Sequence, residues 1–382
     1  MVPAIARWKR NSKERLKDLT RRLESFSGRF GIWSIIARNE QLGFASCGAW
    51  HESLRFKRLY LGTSDVKRSF RFVSKSKRCL ELFRERDRKG LVLLNDSEIA
   101  SNLQSYVLRV PRFVSLLIDL QCTDEDYIRS LPRDRRFRVR RLMDRGFQFE
   151  YIKGTEFCRE FVEDYHLPTV RNSHGEEGFG VNVHYVESVL EDSDAEMIKI
   201  KSGTDCLLAG LCIKDGDVYR LDKTGWLRGD SRLLKEGVQI YRVWQGIQRA
   251  KELGFSQLDL GGTPPLLDDG VFNYKMRWNA RLNTQRRIWG THHLLLDPGN
   301  ASVQAFFQRH SIIVYDPENR MCVCSGKRPE ELKITSGILD GISGWWRLVS
   351  PQEAKDRGLD KEPSNGMPSG WFVPEPFDTN RF

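Results

Sequence analysis

At 382 residues the chain is long enough for two domains of ordinary size. With 40% hydrophobic and 30% charged residues it can bury a core and remain in solution, which excludes a disordered or fibrous chain. Its 62 Lys and Arg against 51 Asp and Glu leave a net charge of +11. That balance favours an anionic partner, such as a nucleic acid, a phosphorylated cofactor or a phosphate-bearing substrate, unless it only solvates the surface.

The first hundred residues read as mixed α/β with few chemical signals. Arg7, Lys9, Arg10, Lys13, Arg15 and Lys17 make the start basic, but no apolar stretch of signal-peptide type follows. Leu16, Leu19 and Leu23 predict an amphipathic helix. The apolar run from Phe30 to Ala37 is too short to span a membrane. The eight cysteines are irregularly spaced, with no Cys-x-x-Cys pair, and Cys322 and Cys324 fit alternate positions on a strand. No metal is therefore expected, and scattered thiols suit a reducing, cytoplasmic setting.

Phe113 to Leu120 predicts a strand. Thr123-Asp-Glu-Asp126 resembles a capping box and opens a short helix that Pro132 breaks. A second helix, dense in Arg, runs from Arg133 to about Arg145, and Phe147, Phe149 and Tyr151 then alternate as a strand. A helix near Glu156 to Tyr165 leads to a polar turn, His166 to Gly175, and another helix follows over His184 to Glu191. Met197 to Lys201, Cys206 to Ile213 and Val218 to Leu221 read as a meander with a tight turn at Asp215-Gly216. Arg232 to Leu253 is predicted as one long helix, with Leu233, Gly237, Ile240, Trp244 and Ile247 on one face. Phe255 to Leu260 is a strand stopped by Gly261-Gly262. Beyond Asn283 a helix near Val303 to Gln308 and strands near Ser311 to Val314 and Met321 to Ser325 are expected, then a loosely ordered tail from Pro351.

One order of motifs stands out. A strand, a turn and a strand lead to Gly225, a long helix and Gly254-Phe-Ser-Gln-Leu-Asp-Leu-Gly-Gly262, and after a loop comes Gly270-Val-Phe-Asn-Tyr-Lys-Met-Arg-Trp278. Upstream lies Arg135-Arg-Phe-Arg-Val-Arg-Arg141. From roughly Val107 to Asn283 the chain resembles the GNAT-type acyltransferases of the Fem and CelD/BcsL kind.

The resemblance implies an α/β (α+β) GNAT fold: a mixed, splayed sheet flanked by helices, with two GNAT-like halves in some members. The expected organisation is an N-terminal mixed region over 1–106, holding a possible degenerate half. The acyltransferase domain covers 107–283, a C-terminal α/β extension 284–350 and a tail 351–382. The resemblance also implies transfer of an acyl group to an amine, or less often a hydroxyl, of a small-molecule or peptide-like acceptor. Acyl-CoA is the expected donor, and aminoacyl-tRNA, the Fem donor, is the alternative. The usual pyrophosphate pattern, Gln/Arg-x-x-Gly-x-Gly/Ala, keeps only Gly237 within Leu234 to Gln239. A third reading is a non-enzymatic, basic nucleic-acid-binding protein on a GNAT scaffold.

Within this frame Asp259 is a candidate base or amine ligand, or else a cap on the N–H groups of Gly261 and Gly262. Lys275 would hold a phosphate or offset charge on the acyl oxygen, or else lie on the surface with its stem against Trp278. Tyr274 would pack beside the acyl group or protonate a leaving thiolate. His174 is a candidate base in a polar turn that also holds Arg171. Arg228, Ser231 and Arg232 would flank an anion site at a helix start, or Ser231 simply caps it. Arg136 and Arg140 share a face of the Arg-rich helix that could grip an acidic substrate, and Trp278 would line the acceptor site. Ser173 lies in no Gly-x-Ser-x-Gly elbow, and no Walker sequence is present, so neither a serine hydrolase nor ATP dependence is expected.

Overall fold

The computed structural model describes residues 31–37, 43–47, 66–73, 78–94, 107–175, 178, 180–192, 194–284, 290–332, 341–358 and 372–375. The amphipathic helix expected around Leu16 to Leu23 lies outside them.

The described residues open with β1 (Gly31–Ala37), β2 (Gly43–Cys47), β3 (Val66–Phe72), α1 (Arg78–Lys89), β4 (Leu91–Leu94) and β5 (Val107–Pro111). It then builds a second sheet: β6 (Val114–Asp119), α2 (Asp124–Ser130), α3 (Arg133–Met143) and β7 (Gln148–Ile152). A π-helical segment, Phe161–His166, runs into α4 (Leu167–His174). After it come α5 (Val183–Asp192), β8 (Ala195–Ser202), β9 (Asp205–Asp215), β10 (Val218–Trp226), α6 (Arg232–Glu236), α7 (Val238–Glu252), β11 (Gln257–Thr263), α8 (Gly270–Met276) and β12 (Arg281–Leu282). The rest returns to the first sheet through β13 (Thr291–Leu296), α9 (Ala301–Arg309), β14 (Ile312–Tyr315), β15 (Met321–Ser325), β16 (Trp345–Leu348), α10 (Pro351–Asp356) and β17 (Phe372–Glu375).

The first sheet therefore combines both ends of the chain, in the order β17-β16-β15-β14-β5-β13-β4-β2-β1-β3. The second has, among the described residues, seven strands in the order β12-β6-β11-β10-β9-β8-β7. Among the described residues only β10 and β11 run parallel in it; the other neighbours are antiparallel. Their pairing covers Val218 to Arg220 against Gln257 to Asp259 and then stops, although β10 continues to Trp226 and β11 to Thr263. Both strands bulge where they part, β10 between Leu221 and Lys223 and β11 between Asp259 and Gly262. A bulge bends its strand and raises the local twist, which drives the two ends apart.

Helices cover both faces. On one, Ile240, Val243, Trp244 and Ile247 of α7 share a core with Tyr219, Leu221, Leu258 and Leu260. That core continues through Ile313, Val323 and Trp345, joining the two sheets. On the other, Phe157, Phe161, Tyr165 and Val186 pack on Met197, Ala209 and Leu211. This is the mixed, splayed, helix-flanked sheet that the resemblance implies.

Local chemistry explains several boundaries. Thr123 caps α2 by accepting from the Asp126 N–H at 3.2 Å, as its capping box predicts. Gly216, at φ +61°, makes the β9–β10 turn.

Four expectations need correcting. The long helix breaks into α6 and α7 at Gly237, whose φ of +90° suits glycine and whose missing side chain admits Leu142. β11 does not stop at the glycine pair but runs through it, by means of the bulge. The segment from His166 to Gly175 is helical rather than a turn, because it extends the π-helical segment without a break. The described residues of the tail are ordered, since β17 pairs with β16 and Arg347 binds Glu353 and Glu375.

Candidate active site

Asp259 is the last residue of β11 in register with β10, and it is fully buried. Its Oδ1 accepts the Gly261 N–H at 2.8 Å, the capping bond that an Asp two residues before a glycine makes. Its Oδ2 has the Ser115 hydroxyl beside it and no closer partner. Burial pushes the carboxyl above its usual range, against the Gly261 N–H and the charges of Lys275 and Arg220.

Lys275 reaches the same place from α8. Asp269 caps this helix by accepting from the N–H groups of Val271 and Phe272, both at 2.9 Å, so the loop after β11 turns back along the strand. The Lys275 ammonium donates to the carbonyls of Gly261 at 2.6 Å and Gly262 at 2.8 Å. It is not a surface lysine. Burial lowers its pKa to about 7, with Asp259 opposing and Arg242 adding to the shift. Asp259, Gly261, Gly262 and Lys275 thus form one buried group where the two strands part.

Tyr274, next on α8, packs against the main core with its hydroxyl buried beside Arg135 and Trp278. Burial raises its pKa, against the charges of Arg135 and Arg242, so the phenol keeps its proton. Trp278 is completely buried, and Tyr127 donates to its carbonyl at 2.5 Å. The Arg135 guanidinium lies between the two rings, 4.7 Å from the centre of Tyr274 and 4.8 Å from that of Trp278. Trp278 is therefore a packing residue behind the site and does not itself face an acceptor.

On the far face the π-helical segment lies against β10 at Gly225, where a Cβ would stand 2.3 Å from the Tyr165 carbonyl carbon. His166 ends that segment. Its Nδ1 lies 3.0 Å from the Thr224 carbonyl oxygen, which only accepts, so Nδ1 carries the proton and Nε2 is left as an unpartnered acceptor. Burial lowers its pKa, with Lys223 adding and Asp222 opposing. At the β10 bulge Asp222 pairs with Lys223 at 3.0 Å and accepts from the Tyr185 hydroxyl at 3.3 Å.

The other sequence candidates lie elsewhere. Arg140 is exposed and paired with Glu125 at 2.9 Å, and Arg136 is half-buried. The Arg of α3 that turns inward is Arg135, with Val139 and Leu142. Arg171 is exposed on α4, and the His174 side chain lies outside the described residues. Arg228 is exposed with φ +53°. Ser231 makes no capping bond. The Asp230 carboxylate instead takes the Arg232 N–H at 3.0 Å and its guanidinium at 2.6 Å, where an anion was expected. Sequence reasoning missed Arg135, Arg220, Arg242 and His166. An i, i+4, i+7 stripe of Arg135, Val139 and Leu142 was the available signal for the first. Among the described residues no group of three or more His, Cys, Asp or Glu could hold a metal ion, and no helix is long and apolar enough to cross a membrane.

No family model matches the chain, and no curated protein matches it. Similar solved structures include FemX, at 12% identity and a TM-score of 0.38, covering 72% of this chain and 84% of that one. L-PGS from Bacillus licheniformis has 14% identity and a TM-score of 0.33, covering 58% and 74%. A GCN5-related N-acetyltransferase from Kribbella flavida has 14% identity and a TM-score of 0.29, covering 59% and 76%. What the site does is read from its own geometry.

Proposed function

We propose that the chain is an acyltransferase acting by direct attack of an acceptor amine on the acyl carbon of a phosphate-bearing donor. The parting of β10 and β11 carries this reading. It ends the parallel ladder beyond Arg220 and Asp259, at the point where the Asp259 carboxylate and the Lys275 ammonium converge on Gly261. Donors fixed in a water-poor site stabilise a developing oxyanion without reorganising.

In this scheme the amine nitrogen bonds to the acyl carbon and the bond to the donor's sulfur or ester oxygen breaks. The Oδ2 of Asp259, beside the Ser115 hydroxyl, holds the amine or takes its proton. The third N–H of Lys275, left over by its two carbonyl bonds, offsets charge on the acyl oxygen. Tyr274, which keeps its proton, supplies one to the leaving group.

Acyl-CoA is the donor on our first reading. Aminoacyl-tRNA is the second, and one observation favours it. The place where a CoA pyrophosphate would sit is a five-residue helix whose start is occupied by the Asp230 carboxylate, and α7 begins directly behind it. The acceptor is a small molecule or peptide-like amine. Incubation of the full chain with radiolabelled acyl-CoA or charged tRNA and a panel of amines tests the reading. Label passing to an amine supports it, and label passing to none of them removes it.

A further inference from the structure

Helix α3 turns two unlike faces to its surroundings. Arg135, Val139 and Leu142 point inward, and Arg135 packs on Tyr274 and Trp278. Asp134 pairs with Arg277, the residue that ends α8. These contacts fix the helix beside the site. On the opposite face Phe137 is 65% exposed, more than any other large apolar side chain among the described residues. One exposed aromatic is ordinary on a protein surface. Its neighbours are what set it apart.

Arg133 and Arg141 lie four positions before and after Phe137, so each is one turn away on the same row of the helix, and both are exposed. Arg138, the next residue, is exposed as well. The ion pairs of the helix are Arg140 with Glu125 and Asp134 with Arg277; among the described residues no carboxylate pairs with Arg133, Arg138 or Arg141. Asp144 caps the C-terminal end and pairs with none of them. Six of the 11 residues are arginine. Like charges therefore meet at spacings of three, as Arg133 with Arg136 and Arg138 with Arg141, which destabilises a helix. Arg133 also stands at the first position, where the helix dipole disfavours a cation. A polyanion lying across this face removes both costs.

The ring decides which polyanion. A membrane surface is held by apolar area, and the exposed apolar residues of the helix are Phe137 and Met143. They are six positions apart, about 120° around the helix, and form no common stripe. A single ring between cations suits a strand with unstacked bases: one base lies on the ring, and the arginines take the phosphates to either side. We infer that the outer face of α3, Phe137 with Arg133, Arg138 and Arg141, binds single-stranded nucleic acid by stacking a base on Phe137. The inference does not depend on the acyltransferase reading.

Fluorescence anisotropy of the full chain with a short labelled oligoadenylate strand, and with a duplex of the same length, tests this. Wild type is expected to bind the strand. Phe137→Ala should bind it about tenfold more weakly, the worth of one stacked base. Its thermal midpoint should stay level or rise, because alanine is the better helix former on an exposed face. Phe137→Trp keeps a stacking ring and should keep wild-type affinity. Arg133→Gln and Arg141→Gln should each lower the slope of log affinity against log salt by about 0.7, one phosphate contact on a single strand. The duplex, whose bases are already stacked, should respond to the arginine changes and not to Phe137→Ala. Absence of strand binding, a Phe137→Ala protein that binds the strand as wild type does, or unchanged salt slopes in the arginine variants would overturn the inference. So would a loss of duplex binding in Phe137→Ala equal to its loss of strand binding. Sedimentation with phosphatidylglycerol vesicles covers the other polyanion: a chain that ignores the strand but binds vesicles through Phe137 would carry a membrane face instead. No readout involves acyl transfer, so a chain that transfers nothing yet binds the strand through Phe137 keeps this surface and loses only the acyltransferase reading.

Discussion

Asp259 and Lys275 grip the same glycine: the carboxylate accepts the Gly261 N–H at 2.8 Å, and the ammonium donates to the Gly261 carbonyl at 2.6 Å. They are 16 positions apart in sequence and belong to different elements, yet each fixes one side of a single bulged residue. The arrangement occupies Asp259 Oδ1 and leaves Oδ2 with only the Ser115 hydroxyl beside it. Its structural and chemical roles are separable by substitution.

Asp259→Asn and Lys275→Met are each expected to lower turnover about a hundredfold, the usual contribution of one acid–base or charge-stabilising group. The asparagine amide keeps an oxygen for the Gly261 N–H, and methionine fills the volume of the lysine without its charge, so both proteins should fold. Turnover at saturating donor and the far-ultraviolet spectrum check this together. Equal losses of stability and activity in both variants would assign the pair to holding the loop alone.

The ionisation of Lys275 gives a signed pH dependence. Burial holds its folded pKa at about 7, while the unfolded chain regains the ordinary value of 10.5. Between those values the unfolded state binds more protons, so this group's penalty is full below about pH 7 and fades as pH rises. Asp259, whose pKa is raised by burial, contributes with the opposite sign at lower pH. Urea midpoints of wild type and Lys275→Met between about pH 6.5 and 9 isolate the lysine. Wild type should gain on the variant as pH rises; parallel curves would show that Lys275 is not held at a depressed pKa.

Much of this site was legible as a list of residues and not as a place. The Asp-x-Gly-Gly and Tyr-Lys motifs marked Asp259, Gly261, Gly262, Tyr274 and Lys275 because they carry the resemblance to the acyltransferases described above. The bulges did not show, since they depend on partner strands: β11 shifts against β6 and β10 against β9. Arg135 was passed over for Arg136 and Arg140 because a run of arginines hides which one joins the apolar stripe, and only packing on Tyr274 and Trp278 decides it. The break at Gly237 was missed because glycine between Leu233 and Ile240 keeps helical spacing, while the crowding by Leu142 is tertiary. The ten-stranded sheet was illegible for a similar reason: β5 pairs with β13, about 180 residues later, and short apolar strands carry no record of their neighbours.

Away from the splay, Glu196 is fully buried and held by Arg249 through two bonds of 2.9 Å and by the Tyr219 hydroxyl at 2.9 Å. Burial opposes its ionisation, but those bonds outweigh it and hold its pKa below the usual range. Removing one partner leaves an uncompensated charge, so Arg249→Met should cost about 3–5 kcal/mol of stability. Glu196 contributes stability above its unfolded pKa that is lost as pH falls through the folded one. Chemical denaturation of the two proteins at neutral and acid pH should show a gap that narrows in acid. A gap that stays constant would place the loss in packing.

Gly261 offers the sharpest test of whether the parted strands are themselves required. Its φ is +77°, and a Cβ there would stand 2.8 Å from the Leu221 carbonyl oxygen, a backbone atom of the facing strand. Gly146 has nearly the same backbone, at φ +71°, but nothing within 4 Å of its would-be Cβ. Both alanine variants pay for the left-handed conformation, about 1–2 kcal/mol. Gly261→Ala alone must also push β10 from β11 or tilt the peptide that Asp259 and Lys275 hold. Gly146→Ala is therefore expected to lose about 1 kcal/mol and keep full turnover. Gly261→Ala should lose more stability, by about 1–3 kcal/mol for the added crowding, and its turnover should fall well beyond what the folded fraction explains. Urea denaturation alongside turnover per folded molecule separates the two effects. If Gly261→Ala lost stability only to the extent of Gly146→Ala and kept its turnover, the close approach of Gly261 to Leu221 would have no part in the chemistry.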